Sequence, residues 1–96
     1  MDTLTMNIKR KWFAEIIEGT KVIEYRRMSP FWKRRIDPLK PPFKLRLLNG
    51  MLRPIPEAEV VVTKVVRTRS PKEYQLHLGK VLRVRRWNRA ARKPKR

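Results

Sequence analysis

Residues 6–27 read MNIKRKWFAEIIEGTKVIEYRR, and their hydrophobic period changes twice. Leu4, Met6 and Ile8 alternate with polar residues, the period of a half-buried strand over 4–9. Trp12, Phe13, Ile16 and Ile17 then recur at helical spacing, one apolar stripe of a short helix over about 10–18, with Gly19 placed to close it. From Lys21 the period returns to two, with Ile23 and Tyr25 on one face and Val22, Glu24 and Arg26 on the other. Strand, short helix, strand is the predicted start of the fold.

Reading outward, Ser29 is a natural N-cap with Pro30 at the first helical position, which predicts a further helical turn. Asn49-Gly50 sits between apolar runs, the signature of a tight hairpin, and Pro54 and Pro56 exclude a central strand just after it. EAEVVVTKVVRTR (57–69) is the longest β-branched run and is expected at the centre of a sheet. YQLHLGKVLRVRRW (74–87) alternates, breaks at Gly79 and resumes, which predicts a bulge or bend. From Arg85 the chain holds seven basic residues and no acid. The expectation is therefore one domain over 1–84 and a weakly ordered basic tail over 85–96. The class is α+β, mainly β: a small, strongly curved sheet or barrel with one short helix after the first strand.

The whole chain has 96 residues, 26 Lys and Arg against eight Asp and Glu, and a formal charge of +18. That imbalance costs self-repulsion on folding, so a polyanion is the expected partner: RNA first, DNA second. No apolar run approaches the roughly 18 residues of a membrane span, and there is no cysteine for a disulfide or thiolate site. An intracellular, cytoplasmic monomer without metal or cofactor is the expectation.

Lys21, Glu24 and Arg26 are the first candidate site. Glu24 and Arg26 are two apart on a strand and project to one side, and Lys21 stands at the strand's mouth. A guanidinium fork, a carboxylate and a point charge can together hold a base edge or a phosphate. If the strand is instead a solvated edge, the same charges are ordinary surface pairs of small value.

The order of these features resembles the ASCH domain family, part of the PUA-like superfamily of small β-barrels. The family pattern is a first strand ending in lysine, a short helix, then G-x-K-x-x-E-x-R. Lys9, Gly19, Lys21, Glu24 and Arg26 match it, and the similarity runs over about residues 4–84. The resemblance implies a PUA-like barrel whose cleft, lined by Lys9, Lys21, Glu24 and Arg26, binds RNA or a modified nucleoside. Some members are N-acetylcytidine amidohydrolases that use the lysine, a threonine three residues later and a glutamate from an insertion. Here Glu24 stands in the threonine's place and Glu73 is the only acid near the insertion point. If the protein is an enzyme, amidohydrolase or ribonuclease, Lys21 is the candidate base with Glu24 as its partner. His77, inside an apparent strand, is read as structural.

The second candidate is the basic surface. Arg10 and Lys11 lead into the helix, Lys33, Arg34 and Arg35 adjoin Phe31 and Trp32, and Arg85, Arg86, Arg89, Arg92 and Lys93 surround Trp87. Cations interleaved with aromatics suit single-stranded or looped RNA, so these residues are assigned to the backbone, with Trp32 and Trp87 as stacking candidates. The alternative for both tryptophans is a place capping the core.

Overall fold

A β-branched run of thirteen residues forms the spine around which the other strands are placed. The computed structural model describes residues 1–95. About half of them are in strands: β1 (Thr3–Asn7), β2 (Ile23–Arg27), β3 (Phe43–Leu48), β4 (Glu57–Arg69), β5 (Lys72–Arg85), β6 (Trp87–Asn88) and β7 (Lys93–Pro94). The helices are α1 (Arg10–Glu18) and α2 (Pro30–Ile36). The five long strands make one mixed sheet in the order β1-β3-β4-β5-β2, with β4 at the centre and only β1–β3 parallel. β6 and β7 form a separate small ribbon.

β1 and β2 are the two edges, so among the described residues the expected closure into a barrel is not made by backbone pairing. A side chain spans the gap instead: Arg26 NH2 donates to the Asn7 carbonyl at 3.2 Å. α1 links the two edges and packs Phe13, Ala14, Ile16 and Ile17 into the core. Its end follows from Gly19, whose φ of 82° is open to a residue without Cβ; the amides of Thr20 and Lys21 then both donate to the Glu15 carbonyl. That knot sets where Lys21 emerges.

The core lies between α1 and the inner face of the sheet. Phe43, Leu45, Leu47, Val60, Val62, Tyr74 and Leu76 are all 0 % exposed. β1 contributes Leu4 and Met6, with Ile8 just beyond it, in the alternation read from the sequence. α2 begins as expected, Ser29 Oγ accepting from the Trp32 amide at 3.3 Å with Pro30 in the first turn, and it runs for seven residues. It is tied down at its C-terminal end, where the buried Tyr74 hydroxyl donates to Asp37 Oδ1 at 2.6 Å.

Three sequence expectations need correction. Asn49-Gly50 does not make a two-residue hairpin: β3 and β4 pair from Leu48 and Glu57, and residues 49–56 form the loop between them. Pro54 and Pro56 cannot donate to a ladder, so pairing starts only after them. The Asn-Gly pair is bound to β1 instead, Asn7 donating to the Gly50 carbonyl at 2.9 Å and accepting from its amide at 3.2 Å. Next, Arg85–Lys95 is not a loose tail. Arg85 ends β5, Trp87 is 6 % exposed with its ring edge-on to Phe13 at 4.8 Å, and β6–β7 fold back. A large indole with an apolar partner gains more by burial than a solvated run would keep. Arg96 lies outside the described residues. Third, Trp12 is not in the helix's core stripe: Ala14 is buried there, and Trp12 stays 38 % exposed.

The break at Gly79 corresponds to register shifts between β4 and β5 from Glu59 to Lys64. A Cβ at Gly79 would lie 2.9 Å from Thr63 Cγ2, so the strands approach here because the side chain is missing.

Candidate functional site

β2 turns its charged side toward the core face. Glu24 pairs with Leu76 and Arg26 with Tyr74 across the β2–β5 ladder, both partners buried, while Tyr25 between them points outward and is 44 % exposed. Glu24 is only 5 % exposed. A carboxylate so placed must be compensated. Lys21 Nζ lies 3.6 Å from one of its oxygens, Arg26 NH1 lies 3.5 Å from the other, and the Tyr25 amide donates to it at 2.9 Å. The three residues singled out in the sequence are therefore one ion cluster, with side chains 14 %, 7 % and 20 % exposed for Lys21, Glu24 and Arg26.

The cluster floors a cleft of about 560 Å³. Asn7, Ile8 and Lys9 at the end of β1 form one wall, Trp12 of α1 and Tyr25 of β2 the other sides. Lys21 Nζ lies 5.1 Å from the Trp12 ring centroid and 5.4 Å from that of Tyr25. The carboxylate and the two ring faces hold the Lys21 ammonium at the edge of the cleft. Arg26 is more heavily committed: besides Glu24 and Asn7 it donates to the Tyr25 carbonyl at 2.9 Å and lies 5.4 Å over the Trp32 ring. Its role here is to clasp β2 to β1 and hold the cleft's floor, leaving Lys21, Lys9 and the two rings as the groups that face a visitor.

Trp12 and Tyr25 were missed as site residues. Trp12 was absorbed into the helical stripe and Tyr25 into the apolar face of β2; the neglected signal was that each lies next to a cationic candidate, Lys11 and Arg26. Of the stacking candidates, Trp87 is in the core and cannot stack on a base. Trp32 is half-buried, edge-on to Phe31 at 4.8 Å and beneath Arg26.

The assigned backbone cations divide in two. Arg10, Lys11, Lys33, Arg34, Arg85, Arg89 and Lys93 are exposed with no ion pair among the described residues. Arg35 is exposed but stacks on Phe31 at 3.5 Å. Arg86 and Arg92 are held by carboxylates: Arg92 Nε donates to Glu18 at 2.7 Å, and Arg86 is bound to Glu57 at 3.4 Å and to the Ile55 carbonyl at 2.9 Å. Sequence reasoning also missed Arg67, Arg69 and Lys72, which the β4–β5 turn gathers beside Lys33 around a polar hollow. Alternating basic residues on both sides of Ser70-Pro71 were the available clue.

His77 lies in β5, as read, with Nε2 buried and without a hydrogen-bond partner. No group of His, Asp or Glu side chains suited to a metal occurs among the described residues, and no helix among them is long and apolar enough to cross a membrane. No family model matches the chain, and neither a curated protein nor a solved structure matches it significantly.

Proposed function

We propose that the protein is a nucleic-acid-binding module of the ASCH, PUA-like kind, acting on RNA in the cytoplasm. The cleft at Lys21 selects a base, nucleoside or phosphate, and the exposed cations grip the backbone. The observation that carries this reading is the placement of Lys21 between two aromatic rings above a buried carboxylate, on a chain of charge +18. Rings offer a base a stacking surface, and the ammonium between them offers a phosphate or carbonyl oxygen a partner. The match of Lys9, Gly19, Lys21, Glu24 and Arg26 to the ASCH pattern supports the same assignment.

The reading separates two kinds of residue. Replacing an exposed cation such as Arg89 should weaken binding to all RNAs alike and lower the salt slope by about one unit. Lys21→Ala, Trp12→Ala and Tyr25→Ala should instead change which sequences are retained in a selection from a random RNA pool, each cleft contact contributing about 1–3 kcal/mol. An unchanged selected pool for all three variants defeats the proposal. Turnover of N-acetylcytidine or cleavage of labelled RNA by the wild type, lost in Lys21→Ala, would replace it with the hydrolase reading.

A further inference from the structure

A larger concavity lies on the other side of the sheet. In β3, Phe43, Leu45 and Leu47 face the core, so Lys44, Arg46 and Leu48 face away from it and from α1. On that outer face Arg46, Arg53 and Arg86 border a groove of about 650 Å³ with Leu48, Pro54 and Ile55 as its apolar wall. It shares no lining residue with the cleft.

Its centre is Glu57, 7 % exposed. Arg46 donates to it through Nε at 3.1 Å and NH2 at 3.3 Å, and Arg86 reaches it with NH2 at 3.4 Å while its Nε is bound to the Ile55 carbonyl. Both guanidiniums are thus held by one edge, and NH1 of each makes no hydrogen bond among the described residues. Arg86 is positioned at a backbone cost, adopting φ 56° as a residue with a Cβ, which is the kind of local strain that accumulates at sites. Arg53 has no ion pair among the described residues. Three guanidiniums against one carboxylate leave the groove two positive charges in excess.

We propose that this groove is a second anion site, independent of the cleft, that takes a phosphomonoester. Its phosphoryl oxygens lie among Arg46, Arg53 and Arg86, and its organic part lies against Leu48, Pro54 and Ile55. A phosphomonoester carries about −1.5 to −2 charge near neutral pH, which matches the excess, whereas a carboxylate or an internal phosphodiester carries one charge. Edge-anchored guanidiniums bind such a group with little further loss of side-chain freedom.

Calorimetric and amide-shift titrations of the full chain test this, at about 150 mM salt so that exposed charges are screened. The ligands are a nucleoside 5′-monophosphate, the same nucleoside without phosphate, and inorganic phosphate. The expected result is that the monophosphate shifts the amides of Arg53, Ile55, Glu57 and Arg86 and outcompetes inorganic phosphate there, while the bare nucleoside leaves those groove amides unmoved, whatever it does at the cleft. Arg53→Ala, which breaks no described contact, weakens the monophosphate about tenfold or more as read at the groove amides; Lys80→Ala, an exposed cation lining neither concavity, leaves those groove shifts unchanged. Equal losses in both variants, no loss in Arg53→Ala, or shifts of the groove amides by the bare nucleoside overturns the proposal. Inorganic phosphate binding as tightly as the monophosphate overturns the role of the apolar wall. Competition with short RNA bearing a 5′-phosphate or a 5′-hydroxyl assigns the source. Displacement by the phosphorylated RNA alone points to RNA ends, and no displacement by either points to free mononucleotides; both support the site.

Discussion

Glu24 shows how one residue changes the meaning of a strand. Its face of β2 carries the charge, yet it is the face that meets the core, because Glu24 arrives with two cations and an amide already aimed at it. Glu24→Gln keeps the size and removes the charge, so Lys21 and Arg26 repel across a half-dry cleft; a loss of about 2 kcal/mol in urea unfolding is expected. A loss below half a kcal/mol would mean that the cluster is effectively solvated. Two other residues predict the pH range of stability. Hydrogen bonding from Arg46 holds the Glu57 carboxyl below the usual range, so its ionised form stabilises the fold. That contribution is present above the ordinary glutamate value and is lost as pH falls through the lower folded value, so acid denaturation below about pH 4 should shift upward in Arg46→Gln. Burial, helped by the bond to Asp37, pushes the Tyr74 phenol up to about 12. Its neutral form therefore stabilises the fold fully below the ordinary value of about 10, and the contribution fades as pH rises through the folded value. In a Tyr25→Phe protein, which leaves Tyr74 as the one tyrosine, phenolate absorbance should appear near pH 12 and coincide with loss of structure.

At the scale of elements, legibility tracks sequence distance. β1, the Phe13, Ile16 and Ile17 part of α1's stripe, Gly19 as its cap and Ser29-Pro30 opening α2 were all readable, since each is decided by neighbours within a turn or a few residues. β2's inward face was not, because Ile23 and Tyr25 make the opposite face the more apolar one, and the polar face is held inward by contacts such as Arg26 reaching Asn7, 19 positions away. For Trp87 the sequence leaves stacking and core capping both open, and the core place is decided by Phe13, far away on the first helix. The candidate cleft was half legible: its ions are a local motif, but its rings come from Trp12 on a helix and Tyr25 on an outward-facing position. Gly79 allows a direct test of close strand approach. Gly79→Ala forces its new methyl against Thr63 Cγ2, whose side chain is anchored by the Thr63 hydroxyl bond to the His77 carbonyl. A loss of about 1 kcal/mol is expected, and Thr63→Ser in the same chain should recover most of it, since serine keeps the hydroxyl and lacks the methyl. No recovery would place the cost in the backbone rather than in that contact.

Over the whole molecule, charge is arranged on two levels. Among the described residues seven cations share five carboxylates in ion pairs, and these pairs tie elements together: β2 to the cleft mouth, α2 to β4, and the β6–β7 ribbon to α1. Most of the remaining cations face solvent with nothing to balance them, so the folded chain carries a self-repulsion that salt relieves. Two opposite salt dependences should follow in one buffer series. Without RNA, melting temperature should rise between 50 and about 200 mM salt as repulsion is screened within a Debye length of about 8–10 Å. RNA affinity should fall roughly a thousandfold over the same range if about six phosphates are neutralised. The melting-temperature increment given by a fixed RNA concentration should therefore shrink while the free protein's melting temperature climbs. Truncation after Val84 cannot separate these effects, because it removes Trp87 from the core; Arg89→Ala with Lys93→Ala removes charge and keeps the ribbon. That double variant should raise the low-salt melting temperature of the free protein and flatten the salt slope of RNA affinity by about two units. If it flattens neither curve, those cations lie off the nucleic-acid path, and the backbone grip must be assigned to Lys33, Arg69 and Lys72 at the other end of β4.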